Sequence, residues 1–177
     1  MRRGFTLLET VLVLAILVIA AAIAVPVIRS SIIDARMTAG ADMIRARLAD
    51  TRAHALDTGK PWKLAYMPGS GIFMLAAEDA DEWNSAGQDI KETLEFVRGE
   101  MPKDIILAAN RDDIAGVEGA AQASGGWQTL AVFTGDGSAR DDGAVYIGKT
   151  GLLPYRIRVR ALTGTTALDV PMLVKDQ

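Results

Sequence analysis

The sequence predicts an α+β chain: a long N-terminal helix, its first half transmembrane, packed on an antiparallel β-sheet or sandwich domain. Three observations carry this. Across residues 5–28 the only ionisable side chain is Glu9. From Ser30 the apolar residues recur at helical intervals. Beyond Pro61 they fall into short runs divided by Gly, Pro and Asp. The domain organisation that follows is a membrane span over residues 5–28, an amphipathic continuation of the same helix over 29–58, and a β domain over 59–177.

The span is long enough for a bilayer. About 24 helical residues at about 1.5 Å each cross a hydrocarbon core of about 30 Å. A cleavable secretory signal has a shorter apolar region, about 7 to 15 residues, and here apolar sequence runs on past Ala20-Ala21-Ala22 to Ile28. Arg2 and Arg3 place the N-terminus on the cytoplasmic side by the positive-inside bias. A plain anchor accounts for length and flank but not for Glu9, since a carboxylate inside a span is costly unless it finds a partner. Pro26, late in the run, removes one backbone hydrogen bond and is the expected place for a kink.

Residues Ile33, Met37, Ile44, Leu48 and Ala55 share one stripe of the continuing helix, with Arg36, Arg45, Arg47, Asp50 and Arg52 mostly off it. Gly59 and Pro61 form the stop signal. His54, near that end, is expected to be a surface residue of the cap. Residues 62–67 and 72–77 then read as a hairpin around Pro68-Gly69-Ser70-Gly71. Residues 78–91 are acidic and polar around Trp83, which is a candidate partner contact. Asp79 and Asp81 resemble the start of a calcium loop, but Trp83 stands at the next ligand position and no glycine follows, which excludes an EF-hand. Short strands are expected at 93–97 and 105–109, and a long Gly- and Ala-rich loop at 110–126. The clearest β region comprises 129–133, 144–149, 155–162 and 168–174. In Tyr155-Arg156-Ile157-Arg158-Val159-Arg160 the alternation has period two, so one face is buried and the other carries three arginines. Arg156, Arg158 and Arg160 are therefore either a solvated sheet face or a contact with acidic neighbours.

Composition narrows the chemistry. After the span, the 177-residue chain leaves material for one domain with an adequate core. With no cysteine and a single histidine, His54, neither thiolate nor His-cluster metal sites are available, and no cofactor is assigned. A net charge of −3 argues against a surface tuned for nucleic acid. No nucleophile and base can be paired, so no catalytic residues are named and an enzyme is not expected.

Gly4-Phe5-Thr6-Leu7-Leu8-Glu9, behind a short basic leader and ahead of an apolar helix, resembles the processing site of type IV pilins and of the pseudopilins of type II secretion. The resemblance implies that residues 1–4 are a leader removed by a prepilin peptidase, which cuts between Gly4 and Phe5 and methylates the new Phe5 amine. It also implies a partner for Glu9: in an assembled filament its carboxylate pairs with the Phe5 amine of a neighbouring subunit, cancelling two buried charges and setting the stagger. Pro26 would allow the helix to bend or partly melt in the filament.

The C-terminal third narrows the likeness. Phe133-Thr134-Gly135-Asp136-Gly137, the hairpin after it, and Arg158-Val159-Arg160-Ala161-Leu162-Thr163-Gly164 resemble the ending of H-type minor pseudopilins and FimT-like minor pilins, with Gly135 standing where those proteins usually show Pro. The helix stretch from Ile44 to Ala55 resembles theirs as well. The implied function is that of a minor pseudopilin, single-pass in the inner membrane with its C-terminal domain in the periplasm. Its implied partners are other minor and major pseudopilins, the prepilin peptidase and the inner-membrane assembly platform. The rival is a minor type IV pilin for pilus assembly or DNA uptake, supported only by Arg156, Arg158 and Arg160.

Overall fold

The computed structural model describes residues 7–84, 96–115 and 126–171. The chain divides into two compact units, Met1–Ala35 and Arg36–Gln177. Helix α1 (Leu7–Thr58) contributes to both and continues through position 26 without a break.

In the first unit the helix turns its apolar side chains outward: Leu7, Leu12, Leu17, Ile19 and Ile23 are all exposed. Among the described residues, α1 is the one helix long and apolar enough to cross a membrane, and none of its most apolar stretch is buried against protein.

In the second unit the same helix behaves as a core element. Met37, Ala41, Ile44, Leu48, Thr51 and Ala55 are buried, spaced alternately four and three residues apart, which keeps them on one face. This is the expected stripe from Met37 onward, enlarged by Ala41 and Thr51; Ile33, read as its first member, is only half-buried and belongs to the first unit. The buried Thr51 hydroxyl is satisfied by donating to the Arg47 carbonyl at 2.6 Å. Gly40 lets the helix approach the sheets: a Cβ there would lie 2.8 Å from Met101 Cε and 3.4 Å from Ile105 Cγ2. The helix ends at Gly59 as the sequence indicates, with φ +67° and its N–H donating to the Ala55 carbonyl at 2.9 Å.

The β domain is two four-stranded antiparallel sheets. The first has the order β3-β2-β1-β5, from β1 (Trp62–Tyr66), β2 (Ile72–Ala77), β3 (Phe96–Glu100) and β5 (Gln128–Phe133). The second has the order β4-β6-β7-β8, from β4 (Ile106–Ala108), β6 (Gly143–Gly148), β7 (Tyr155–Val159) and β8 (Thr166–Asp169). The β1–β2 turn stitches the two together: the Gly69 N–H donates to the Leu107 carbonyl and the Leu107 N–H to the Ser70 carbonyl, each at 2.8 Å. Phe73, Leu75, Phe133, Leu107, Ile147 and Ile157 form the core beneath the helix stripe. A four-residue helix, α2 (Asp112–Ala115), buries Ile114 within the stretch read as a loop, and residues 116–125 of that stretch lie outside the described residues.

Strand positions differ from the sequence reading most at β3, β4, β7 and β8, and by one residue at the bounds of β1, β5 and β6. β3 runs to Glu100 rather than stopping at 97, with Ile72 opposite Glu100, because the whole length of β2 offers it a partner. β4 is trimmed to three residues. β7 stops at Val159, because residues 160–165 close the next hairpin: the Arg160 N–H donates to the Thr165 carbonyl and the Gly164 N–H to the Arg160 carbonyl, both at 2.9 Å. That turn starts β8 at Thr166 instead of 168, and residues 172–177 lie outside the described set.

Candidate functional site

Glu9 sits in the first described turn of α1, on an apolar surface where Leu7 is 82% and Leu8 77% exposed. Thr10, beside it, turns its hydroxyl back to the Leu7 carbonyl at 2.8 Å. Gly4 and Phe5 lie outside the described residues. Pro26 lies inside the helix, without an N–H to contribute to its ladder.

Trp83 is only half exposed. It lies in a short 3-10 turn (Asp81–Asn84), and its indole N–H donates to the Ala77 carbonyl at 2.7 Å. Its ring packs edge-on against Trp127, with centroids 6.2 Å apart, over Met74 and Ala76 on the second face of β2. Lys63 Nζ stands 3.8 Å above the ring. This patch closes a satellite core, so much of the apolar surface the sequence offered to a partner is spent within the domain. Next to it Arg140 clasps Glu78 with two hydrogen bonds, 2.5 and 2.7 Å, which hold the Glu78 carboxyl below the usual range. Burial likewise draws the Lys63 ammonium down, below an ordinary lysine.

The three arginines lie along one face of β7 and its continuation, with Ile157 and Val159 buried on the other. They are not equivalent. Arg158 donates through Nη2 to Asp169 Oδ1 at 3.0 Å, and its Nε lies 2.8 Å from Oδ2 but off the hydrogen-bond axis. The pairing raises the Arg158 pKa and lowers that of Asp169. Arg156 is half-buried, its guanidinium 5.7 Å from the Tyr146 ring, and Arg160 is exposed. Asp169 was not legible as a site residue: it reaches Arg158 diagonally across the β7–β8 pair, where Arg158 stands opposite Ala167 and Arg156 opposite Asp169. The hairpin register alone could have found it, and that register depends on a turn of uncommon length.

The segments that carry the sequence resemblance converge on one corner. Gly164, from Thr163-Gly164, has φ +59°, and a Cβ there would lie 2.5 Å from the Gly137 carbonyl oxygen and 3.3 Å from both Arg52 Nε and Phe133 Cε1. Gly137, from Gly135-Asp136-Gly137, has φ +82° and abuts Leu56 of the helix. Asp136 shapes that turn by accepting from Thr134 Oγ1 at 2.6 Å, the Ser138 N–H at 2.9 Å and Ser138 Oγ at 2.7 Å, which hold its pKa down to about 2. The helix, the Gly-Asp-Gly turn and the Thr-Gly turn thus lock one another, a structural role rather than a chemical one. His54, near that helix end, stacks on Trp62 with ring centroids 4.5 Å apart. Among the described residues no group of three or more carboxylate, histidine or cysteine side chains is placed to hold a metal ion.

Residues 1–25 match the prokaryotic N-terminal methylation motif. The structure is similar to that of the minor pseudopilin EpsH from the type 2 secretion system of Vibrio cholerae, at a TM-score of 0.51 and 15% sequence identity, over 77% of this chain and 98% of that one. No curated protein sequence matches significantly. At that identity the structural likeness speaks for the fold, and the motif speaks for the N-terminus. The chain thus joins an N-terminal methylation motif to a long helix and two antiparallel sheets, with a fold similar to that of EpsH.

Proposed function

We propose that the chain is a minor pseudopilin of a type II secretion system, H-type, a structural subunit that helps initiate or cap the periplasmic pseudopilus. The observation that carries this reading is the coincidence, in one chain, of the methylation motif at residues 1–25 with a domain of the fold found in EpsH. In this reading a prepilin peptidase cuts between Gly4 and Phe5 and methylates Phe5, leaving a single span in the inner membrane, with the basic N-terminal side cytoplasmic and the β domain periplasmic. Glu9 then pairs with the Phe5 amine of a neighbouring major or minor pseudopilin when the assembly platform extracts the subunit. The chain acts by assembly and carries out no catalysis.

The test is crosslinking with mass spectrometry on complexes purified with the full chain. Crosslinks to other pseudopilins, lost in Glu9→Ala while cleavage after Gly4 persists, are the expected result. Assembly that survives Glu9→Ala overturns the charge pairing, and crosslinks to pilus subunits instead overturn the secretion assignment. The second reading, a minor type IV pilin engaged in DNA uptake, draws on the arginine face. Only two of its three guanidiniums lack a carboxylate partner among the described residues, which predicts weak binding with a shallow salt dependence.

A further inference from the structure

A shallow groove of about 690 Å³ lies over the outward face of β6 and β7, bounded by the β7–β8 turn. Arg156, Arg158 and Arg160 line it along β7, Asp142 stands at the β6 end, and Leu162, 93% exposed, projects at its rim. Its fixed charges are partly spoken for. Asp142 Oδ1 accepts the Ala161 N–H at 2.7 Å, and Asp169, just outside the groove, holds Arg158. Among the described residues no carboxylate lies within ion-pair distance of Arg156 or Arg160, and the Arg156 Nε is buried without an acceptor. A chain with a net charge of −3 therefore lines one groove with two guanidiniums outside any ion pair among the described residues, Arg160 and Arg156, the latter still sharing the field of Asp169 opposite it, with an exposed leucine beside them.

We propose that this groove docks an extended segment of a partner protein that carries two carboxylates four residues apart, with an apolar residue for Leu162. The spacing follows from strand geometry. Arg156 and Arg160 are four residues apart in extended backbone, about 13 Å at about 3.3 Å per residue, and an extended ligand repeats that interval between its own residues i and i+4. Arg158, midway, is neutralised by Asp169, so the middle of the ligand needs no charge. A carboxylate fits better than a nucleic-acid backbone, because phosphates recur at about half that interval and would meet one neutral position for every two charged ones. The planar guanidinium fork takes a carboxylate through two parallel hydrogen bonds, as it would a phosphate, so the spacing carries the choice. The inference depends on the pilin-like assembly role only for where the partner comes from.

The probe is a fluorescein-labelled Thr- and Leu-containing peptide with Glu at two positions four apart, its control carrying Gln at both. Fluorescence anisotropy with the full chain in detergent is expected to show binding of the Glu peptide and not of the Gln peptide. Arg160→Gln, at an exposed side chain with no contact to lose, should weaken it about threefold, and Arg156→Gln with Arg160→Gln about tenfold, with the thermal melt unchanged for Arg160→Gln. Asp169→Asn, which frees Arg158, should tighten it severalfold; a purely structural pair would leave affinity unchanged or lower. Equal binding of both peptides, insensitivity to Arg160→Gln, or tighter binding of a single-stranded oligonucleotide through the same arginines each overturns the proposal. None of these outcomes bears on cleavage after Gly4 or on assembly through Glu9, which are scored by the crosslinking experiment.

Discussion

Replacing Gly164 with Ala tests whether the convergence of three sequence segments at one corner is a mechanical lock. Two costs add. At φ +59° a Cβ is strained by about 1–2 kcal/mol. The same Cβ would stand 2.5 Å from the Gly137 carbonyl oxygen, with the fully buried Phe133 ring 3.3 Å away on another side. The turn has little room to retreat, since Gly137 itself sits against Leu56 of the helix, and overpacking of this kind costs about 1–3 kcal/mol. The sum is about 2–5 kcal/mol, roughly a 10 °C fall in melting temperature for a chain of this size. Gly59 provides the control: its φ is +67°, but among the described residues no atom lies within 4 Å of a Cβ there, so Gly59→Ala bears only the backbone term, roughly 4 °C. Any entropy gained by leaving glycine in the unfolded chain is common to both and cancels in the comparison. Thermal unfolding of the full chain in detergent, followed by tryptophan fluorescence, gives both numbers. If the two variants melt within a degree or two of each other, the close approach carries no energy and the corner is not a lock.

Leu48→Ala, in the middle of the buried helix stripe, is expected to cost about 2–5 kcal/mol in urea unfolding, whereas Arg45→Ala, at an exposed position of the same helix with only a surface pair to Asp42, should cost under about 1 kcal/mol; equal losses would mean the stripe is misassigned. Asp136 has a pKa of about 2 in the folded chain, so it adds stability above the ordinary carboxylate pKa near 3.8 and loses it as pH falls through about 2. A carboxyl-carbon NMR titration should place its midpoint near 2, and Asp136→Asn should flatten the stability profile between about pH 4 and 2; a midpoint near 4 would remove the three hydrogen bonds from the account.

How much of this was legible in the sequence depends on the range of the interaction involved. The helix stripe, the Gly59 stop and the β1–β2 hairpin are set by residues within a few positions of each other, and the structure has them where the pattern puts them. The alternation at 155–160 likewise fixed which side of β7 carries the arginines. Strand ends were harder, because β3 and β8 take their length from partners on other strands. The choice between one sheet and a sandwich of two is not legible in the sequence, since nothing local says that β4 leaves β3 to pair with β6. At the candidate surfaces the residue types were visible and their states were not. The acidic sequence around Trp83 makes it a candidate partner contact; Met74, Ala76 and Trp127, which half-bury it, come from two other places in the chain. Arg158 reads like Arg156 and Arg160 until Asp169 is brought beside it.

The exposed apolar surface of α1 raises the question of what selects its surroundings. Side chains such as Leu7, Leu12, Leu17 and Ile23 would each gain about 1.5–3 kcal/mol by leaving water, and together they make an aqueous resting place untenable. That gain does not distinguish lipid from a bundle of partner helices, because lipid tails are as apolar as leucine. The choice between membrane and assembly must then come from the groups that the two environments treat differently. In the first unit's apolar run the one ionisable group is Glu9, and lipid gives it no charge partner, whereas the amine of the proposed neighbouring subunit would. Removing the carboxylate should leave membrane retention intact, since the apolar contacts are untouched, and should abolish only the preference for a neighbour. Retention and assembly are thus separable at a single residue, and a Glu9→Ala chain that leaves the membrane fraction would show that the carboxylate acts on the span itself.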